Sequence, residues 1–418
     1  MMVFAELIII GEEILIGQIF DTNSAWIAKM LNEIGISVSQ ISTVSDNGDH
    51  IKRAIKLAEE RANIILITGG LGPTRDDITK QTLAEYFNTV LVEDQEVLKS
   101  IEDLLSKRAF SMNPLNRKQA LVPKNCTPLS NKHGTAPGML FEKNGKVYVS
   151  MPGVPFEMKS IMEDLVLPFL KSKFDAPFII HRTLIIQGFT ESTLSLVLEE
   201  WEKSLPHDIK LAYLPSPGMI RLRLTISGAN YEKLQEKIYR QILKLEPIIP
   251  KAIVSYEEEG IEKVVGELLK NEGMTLASAE SCTGGSIATL ITSIPGSSEY
   301  FKGSVVAYSN EIKHNVLNVS MDSLIKYGAV SKTVVEEMAI GCLQLLKTDY
   351  VVATSGIAGP GGGTSEKPVG TTWISVASKG KIISQKYMMG DLRSSNIQQA
   401  TLTALNMLRE MILETAKI

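Results

Sequence analysis

The stretch Ala277-Ser278-Ala279-Glu280-Ser281-Cys282-Thr283-Gly284-Gly285-Ser286 constrains the chain more than any other. A carboxylate precedes a run of small hydroxyl, thiol and glycine residues, and apolar segments flank both sides. Met274-Thr275-Leu276 reads as a short buried strand, and Ser286 to Ile291 as the first turns of a helix. A strand that passes through a glycine turn into a helix aims unpaired backbone N–H groups and the positive end of the helix dipole at one place. Such a place suits an anion or an oxyanion. A serine there is a nucleophile if a base lies close, and otherwise a helix cap.

Candidate partners follow. Ala307 to His314 supplies Tyr308 and Lys313, and the strand Tyr350 to Ala353 opens into a second glycine-rich loop, Thr354 to Gly363. Taken singly, Lys313 reads as a solvated helix residue and Tyr308 as a core residue; their joint occurrence with the Ser281 loop suggests a hydrolase. Tyr308 and Lys313 are five apart, whereas a short-chain dehydrogenase needs Tyr-x-x-x-Lys. No Gly-x-Gly-x-x-Gly opens the chain either. A thiol amidase using Cys282 with His314 is the rival chemistry.

The chain has 418 residues, enough for two or three domains. From Phe4 onward, apolar strands alternate with helical patterns: Phe4–Ile10, a helix from Ala25 to Ile34, Ser37–Val44, a helix from Ile51 to Arg61, and Asn63–Thr68. This alternation predicts a parallel sheet with helices on both faces, and ligands beyond the strand ends. There lies Gly69-Gly70-Leu71-Gly72-Pro73-Thr74-Arg75-Asp76-Asp77. Its glycines let backbone approach a phosphate, Thr74 and Thr79 offer hydroxyls, and Asp76 and Asp77 suit a hard divalent cation. The plain alternative is a turn with Asp76 or Asp77 as a helix cap. Residues from about 175 to 250 read as a β-α-β-β-α module that positions its neighbours. The expected fold class is α/β, with a doubly wound domain over 1–172, a small α+β module over 173–252 and an α/β domain over 253–418. In the last, both glycine loops are expected near one sheet edge.

A net charge of −4 argues against a dedicated nucleic-acid binder. Three scattered cysteines, Cys126, Cys282 and Cys342, fit a reducing cytosol and neither a disulfide framework nor a zinc cluster. Leu7 to Ile10 is too short to cross a bilayer and the start lacks a basic leader, so the expected location is cytoplasmic, away from membranes.

Six ordered motifs resemble the C-terminal domain of the CinA family. They are Ala-Glu-Ser-Cys-Thr-Gly-Gly, Tyr-Ser-Asn-Glu-x-Lys, Tyr-Gly-Ala-Val-Ser, Ser-Gly-Ile-Ala-Gly-Pro, Lys-Pro-Val-Gly-Thr and Gly390-Asp391-Leu392-Arg393. The last carries Leu392 as an insertion into the family's Gly-Asp-Arg. This domain is similar to nicotinamide mononucleotide deamidases of the PncC type. The resemblance implies Ser281 as nucleophile, Lys313 as general base and Tyr308 as an orienting or relaying group. Backbone N–H groups around Thr283, Gly284 and Gly285 would bind the oxyanion. Ser355, Gly356, Gly359 and Arg393 would hold the substrate phosphate. No cofactor is implied for this domain.

Thr-Gly-Gly-Leu-Gly-Pro-Thr-x-Asp-Asp with the upstream Asp21-Thr22-Asn23 resembles the MoaB/MogA-like molybdopterin-binding domain that opens CinA proteins. In the family that domain is linked to hydrolysis of ADP-ribose at its pyrophosphate, with a divalent metal such as Mg and with K. The resemblance places the nucleotide on Asp21, Asn23, Thr68, Gly69, Gly70, Gly72, Thr74, Asn113 and Arg117, and the metal on Asp76 and Asp77. Arg75 stands where the family loop has proline. A homodimer is implied. The rival class is a non-catalytic protein that binds a pterin or a nucleotide.

Overall fold

The computed structural model describes residues 2–415. The chain forms two compact units: Met1–Ile180 with Ser227–Leu234, and His181–Ile226 with Gln235–Ile418.

The first unit holds β1 (Val3–Ile10), β2 (Ile36–Val44), β3 (Ile64–Thr68), β4 (Leu91–Glu93), β5 (Leu121–Pro123), β6 (Thr127–Leu129), β7 (Gly138–Lys143) and β8 (Lys146–Met151). One sheet has the order β2-β1-β3-β8-β7-β6, and β4 pairs with β5 apart from it. The strands β2, β1, β3 and β8 are parallel, as their alternation with helices predicts. The strands β7 and β6 run antiparallel, which corrects the all-parallel expectation. The turn Asn144-Gly145, with both residues at positive φ, returns β7 directly onto β8.

The run Leu7-Ile8-Ile9-Ile10 is apolar without alternation because both faces of β1 are covered. Leu7 and Ile9 enter one core with Ile27 and Leu31 of helix Asn23–Glu33. Ile8 and Ile10 enter the other with Ile51, Ile55 and Ala58 of helix Gly48–Arg61. Asn47 is the cap of that helix and accepts the amides of Asp49 and His50. β1 lies between β2 and β3, so the chain changes direction across the sheet there, and ligand crevices form at such a point.

In the second unit β9 (Phe178–Ile186), β10 (Lys210–Ser216), β11 (Met219–Gly228) and β12 (Ile253–Ser255) form a sheet of order β10-β11-β9-β12. Then come β13 (Leu276–Glu280), β14 (Phe301–Val306), β15 (Tyr350–Gly356), β16 (Thr371–Ser378) and β17 (Lys381–Met388), in the order β14-β13-β15-β16-β17. β13 is parallel to β14 and β15, and the rest is antiparallel. β13 begins later than expected and runs through Glu280, so half of the supposed loop is strand. The two glycine loops leave adjacent strands, β13 and β15, inside the sheet and not at its edge.

Ala277 and Ala279 face the helix Lys332–Leu346, whose Val334, Val335, Met338, Ala339 and Cys342 fill that core. The same helix crosses the helix Asn310–Leu317 at Gly341. A Cβ there would stand 1.8 Å from the Leu317 carbonyl oxygen. Leu276 faces the other core, with Leu405 and Leu408 of helix Arg393–Thr415. β17 is an outer strand with Ile382, Ile383 and Met388 exposed, and Lys381 and Lys386 also on it. No helix among the described residues is long and apolar enough to cross a membrane.

Candidate active site

Ser281 follows the last residue of β13 and Lys313 sits on the helix Asn310–Leu317, capped by the Ser309 hydroxyl. Lys313 shares the inward face of its helix with Leu317, four residues on, and is 1% exposed. Its Nζ lies 3.0 Å from Ser281 Oγ. It donates to the carbonyl of Ala307 at 2.7 Å and reaches that of Tyr308 at 3.4 Å. No carboxylate pairs with it among the described residues. Burial therefore holds the amine below the ordinary lysine value of 10.5. As an ammonium the side chain donates one N–H to each of these three oxygens; as a neutral amine it keeps two N–H groups for the carbonyls and turns its lone pair to the serine hydroxyl.

The other expected roles are redistributed. Tyr308 offers Lys313 its main-chain oxygen, while its ring is 62% exposed and its hydroxyl accepts from Arg393 Nη2 at 3.1 Å. A direct hydroxyl relay from Tyr308 to the dyad is not what the fold provides. Arg393 also donates to Gly359 O at 2.9 Å, so Leu392 does not remove it from the second glycine loop; Leu392 itself is 73% exposed. Ser355 is 1% exposed and donates to Ala329 O at 2.7 Å, which ties the end of β15 to that segment and leaves no hydroxyl proton for a ligand. Gly356 is needed because a Cβ would lie 3.0 Å from Cys282 Sγ and 2.6 Å from Thr372 Oγ1.

The oxyanion assignment changes most. The Gly285 amide donates to Glu280 Oε2 at 3.0 Å, and the Gly284 amide to the Ser281 carbonyl at 3.1 Å. The amides of Ile287 and Ala288, at the helix start, also go to the Glu280 carboxylate. The chain thus fills its own anion position. Among the described residues, no carbonyl or carboxylate accepts from the amides of Cys282 and Thr283 in this turn. Glu280 and Thr354, whose carbonyl accepts the Ser281 amide at 3.0 Å, were not singled out from sequence. An acid at the end of an otherwise small, apolar strand was the available signal.

The thiol alternative does not assemble. Cys282 is 7% exposed and burial pushes its thiol up to about 11. His314 is exposed, with Nδ1 donating to Val319 O at 2.8 Å. It follows Lys313 by one residue and so points about 100° away from it around the helix.

In the first unit a cleft of about 470 Å³ opens where β1 and β3 end, lined by Gly11, Glu13, Asp46, Gly69, Gly70, Gly72, Asp76, Asp77 and Glu157 among others. Gly69 at φ 111° brings the β3 end against β1, where a Cβ would meet Ile10 O at 2.1 Å. Thr74 donates its amide and hydroxyl to Asp77 at 2.9 and 2.5 Å. Asp21, Asn23, Thr68, Thr74, Asn113 and Arg117 are not among the lining residues. Asp21 accepts from the Ser24 amide, Asn23 donates to Gly153 O, and Thr68 to Pro152 O. They shape the neighbouring turns. Asn113 caps the helix Pro114–Gln119, and Arg117 is held by Glu93 at 2.9 and 3.1 Å.

Five carboxylates and no basic side chain line the cleft. Burial pushes the Asp46 carboxyl up, and Glu13, Asp76 and Asp77 add to that. Among the described residues no three acidic, His or Cys side chains form a complete metal cage. Asp76 and Asp77 both line the cleft, with Asp77 Oδ2 already accepting from the Thr74 amide and hydroxyl; magnesium ordinarily takes one or two carboxylates and completes its shell with water and phosphate oxygens.

Two α/β units, one with an acidic cleft beyond a glycine turn and one with a buried serine–lysine pair, define a multidomain protein with two separate candidate sites. Residues 6–172 match the family described as probable molybdopterin binding domain, 181–254 the damage-inducible protein CinA KH domain, and 258–412 the CinA C-terminal domain. A CinA-like protein of Cytophaga hutchinsonii is 48% identical over 412 residues, covering 99% of both chains, and one of Flavobacterium psychrophilum is 46% identical over 414, covering 98% and 99%. The chain belongs to the CinA family. Among solved structures, competence/damage inducible protein CihA from Agrobacterium tumefaciens is 35% identical with a TM-score of 0.35, covering 36% of this chain and 96% of that one.

Proposed function

We propose that the C-terminal domain hydrolyses the carboxamide of nicotinamide mononucleotide to the carboxylate and ammonia. The observation that carries this reading is the 3.0 Å approach of a buried, uncharged-tending Lys313 to Ser281. An amide carbonyl is a poor electrophile and needs an activated nucleophile, a stabilised oxyanion and a protonated leaving nitrogen. Ser281 Oγ attacks the carbonyl carbon as Lys313 Nζ takes its proton. The amides of Cys282 and Thr283 receive the oxyanion. Lys313 returns the proton to the departing nitrogen, ammonia leaves, and an ester remains on Ser281. Water, deprotonated by Lys313, then attacks the ester and frees the acid and the serine. Arg393, which pairs with no carboxylate among the described residues, is the cation for the substrate phosphate, beside Tyr308. The test is ammonia release from nicotinamide mononucleotide by the intact chain, abolished in Ser281→Ala. Folded wild-type protein that yields no ammonia overturns the substrate assignment.

A second activity, hydrolysis of the ADP-ribose pyrophosphate, is favoured by the acidic cleft beside the Gly69–Gly72 turn. A diphosphate cannot approach five carboxylates unless a cation screens them. Asp76 and Asp77 would hold that divalent ion, which supplies charge neutralisation on the phosphate oxygens when bound. The glycine turn's backbone approaches the phosphates. Release of phosphate monoesters from ADP-ribose only with divalent metal supports this reading. Binding of a nucleotide or pterin without turnover would assign the unit to recognition instead.

A further inference from the structure

We infer that Glu280 is the positioning residue of the serine site: its buried carboxylate sets the Ser281 turn so that the hydroxyl faces Lys313 and the Cys282 and Thr283 amides stay open. The inference rests on the amidase reading, because it concerns the same serine.

Glu280 is 0% exposed. A carboxylate so deep is costly unless every lone pair is used. Here Oε1 accepts from Ser304 Oγ at 3.2 Å and the Ala288 amide at 2.9 Å, and the Ser278 hydroxyl, with its one proton, lies 3.1 Å from Oε1 and 2.8 Å from Ser304 Oγ. Oε2 accepts from Thr283 Oγ1 at 2.8 Å, the Gly285 amide at 3.0 Å and the Ile287 amide at 3.1 Å. These groups come from β13, β14, the turn and the following helix, so one side chain clamps all four together. Helix capping alone does not explain the arrangement, since a cap takes the helix amides and has no need of Thr283 within the turn. The Thr283 hydroxyl meets Thr354 Oγ1 at 2.8 Å, and the Thr354 carbonyl holds the Ser281 amide at 3.0 Å. A closed path therefore runs from Glu280 through Thr283 and Thr354 to the nucleophile. With the helix N–H groups engaged by Glu280, the oxyanion is left to the two amides just after Ser281.

Glu280→Gln keeps size and shape. Its NH₂ group can face the Ser278 and Ser304 hydroxyls, which can turn to accept, but it then meets the Ala288 amide donor to donor. The turn shifts while the core stays intact. Thr283→Val breaks the same path by removing one donor to Glu280 Oε2 while the carboxylate itself stays in place.

The test is the rate at which a fluorophosphonate acylates Ser281 in the intact chain, followed by intact mass, with thermal melting to report folding. Wild type is expected to label at Ser281 and Ser281→Ala not at all. Glu280→Gln and Thr283→Val are each expected to label at least about tenfold more slowly while melting cooperatively. kcat for ammonia release should fall with the labelling rate, with KM within about threefold of wild type. Labelling within twofold of wild type in a folded Glu280→Gln overturns the inference; if that variant does not fold, the same outcome in Thr283→Val overturns it. Unlabelled wild type removes both the amidase reading and this inference. Normal wild-type labelling and slow variants, without ammonia from nicotinamide mononucleotide, leave the positioning role standing and remove only the substrate.

Discussion

At Lys313 an amine sits among carbonyls with no counter-ion among the described residues, so desolvation opposes its protonation. Because its folded value lies below 10.5, the unfolded chain binds more protons in the interval between the two. Stability contributed at this position therefore rises with pH across that interval and is lowest when the pH falls beneath it. Urea denaturation should show wild type gaining stability relative to Lys313→Met as pH climbs from neutral toward the ordinary lysine value. The same variant should lose turnover by about 10²–10⁴-fold, the usual contribution of a general base. In wild type, kcat/KM should rise with pH along an acidic limb below 10.5, where Lys313 gives up its proton. Cys282→Ala should keep turnover within about threefold, since a thiol raised to about 11 carries little thiolate at neutral pH. Its loss of turnover would unseat Ser281 as nucleophile.

Among the elements, the crossing of helices Asn310–Leu317 and Lys332–Leu346 determines where Lys313 can stand. Alanine normally improves a helix over glycine by about 1 kcal/mol. At position 341 its Cβ would fall 1.8 Å from the Leu317 carbonyl. Forced separation of packed helices costs about 1–3 kcal/mol or more. Gly341→Ala should therefore lower the urea midpoint with unchanged slope, and also slow turnover by moving the Lys313 helix. Much of the element pattern was legible beforehand, because apolar periodicity and glycine turns are local properties. The strands that end at Gly11 and Gly69 were readable in this way; the pairing of Ser281 with Lys313 came from the motif resemblance, and the strand before Ser281 runs further than its apolar pattern suggests. The antiparallel return through β7, the commitment of the Gly285 amide to Glu280, and Arg117 held by Glu93 away from the cleft were not. Each depends on which elements become neighbours in space, and spacing along the chain carries no record of that. Asn113 had the plainer signal of a cap before Pro114, which was outweighed by motif likeness.

For the whole molecule, the two proposed chemistries, on separate compact units, should respond to substitutions independently. Asp77→Asn should reduce metal-dependent ADP-ribose hydrolysis by about tenfold or more and leave ammonia release within twofold, with Ser281→Ala doing the reverse. Assaying both reactions on the same preparations checks this; a loss of both from either change would mean the units are coupled. The outer strand β17 bears on how such a chain survives at high concentration. An unpaired row of backbone groups next to exposed Ile382, Ile383 and Met388 is a template for sticking to another chain. The ammonium of Lys386 disfavours such stacking electrostatically, whereas that of Lys381 is already paired with Glu414 at 3.1 Å, so Lys386→Ala should raise light scattering of concentrated protein on warming more than Lys381→Ala.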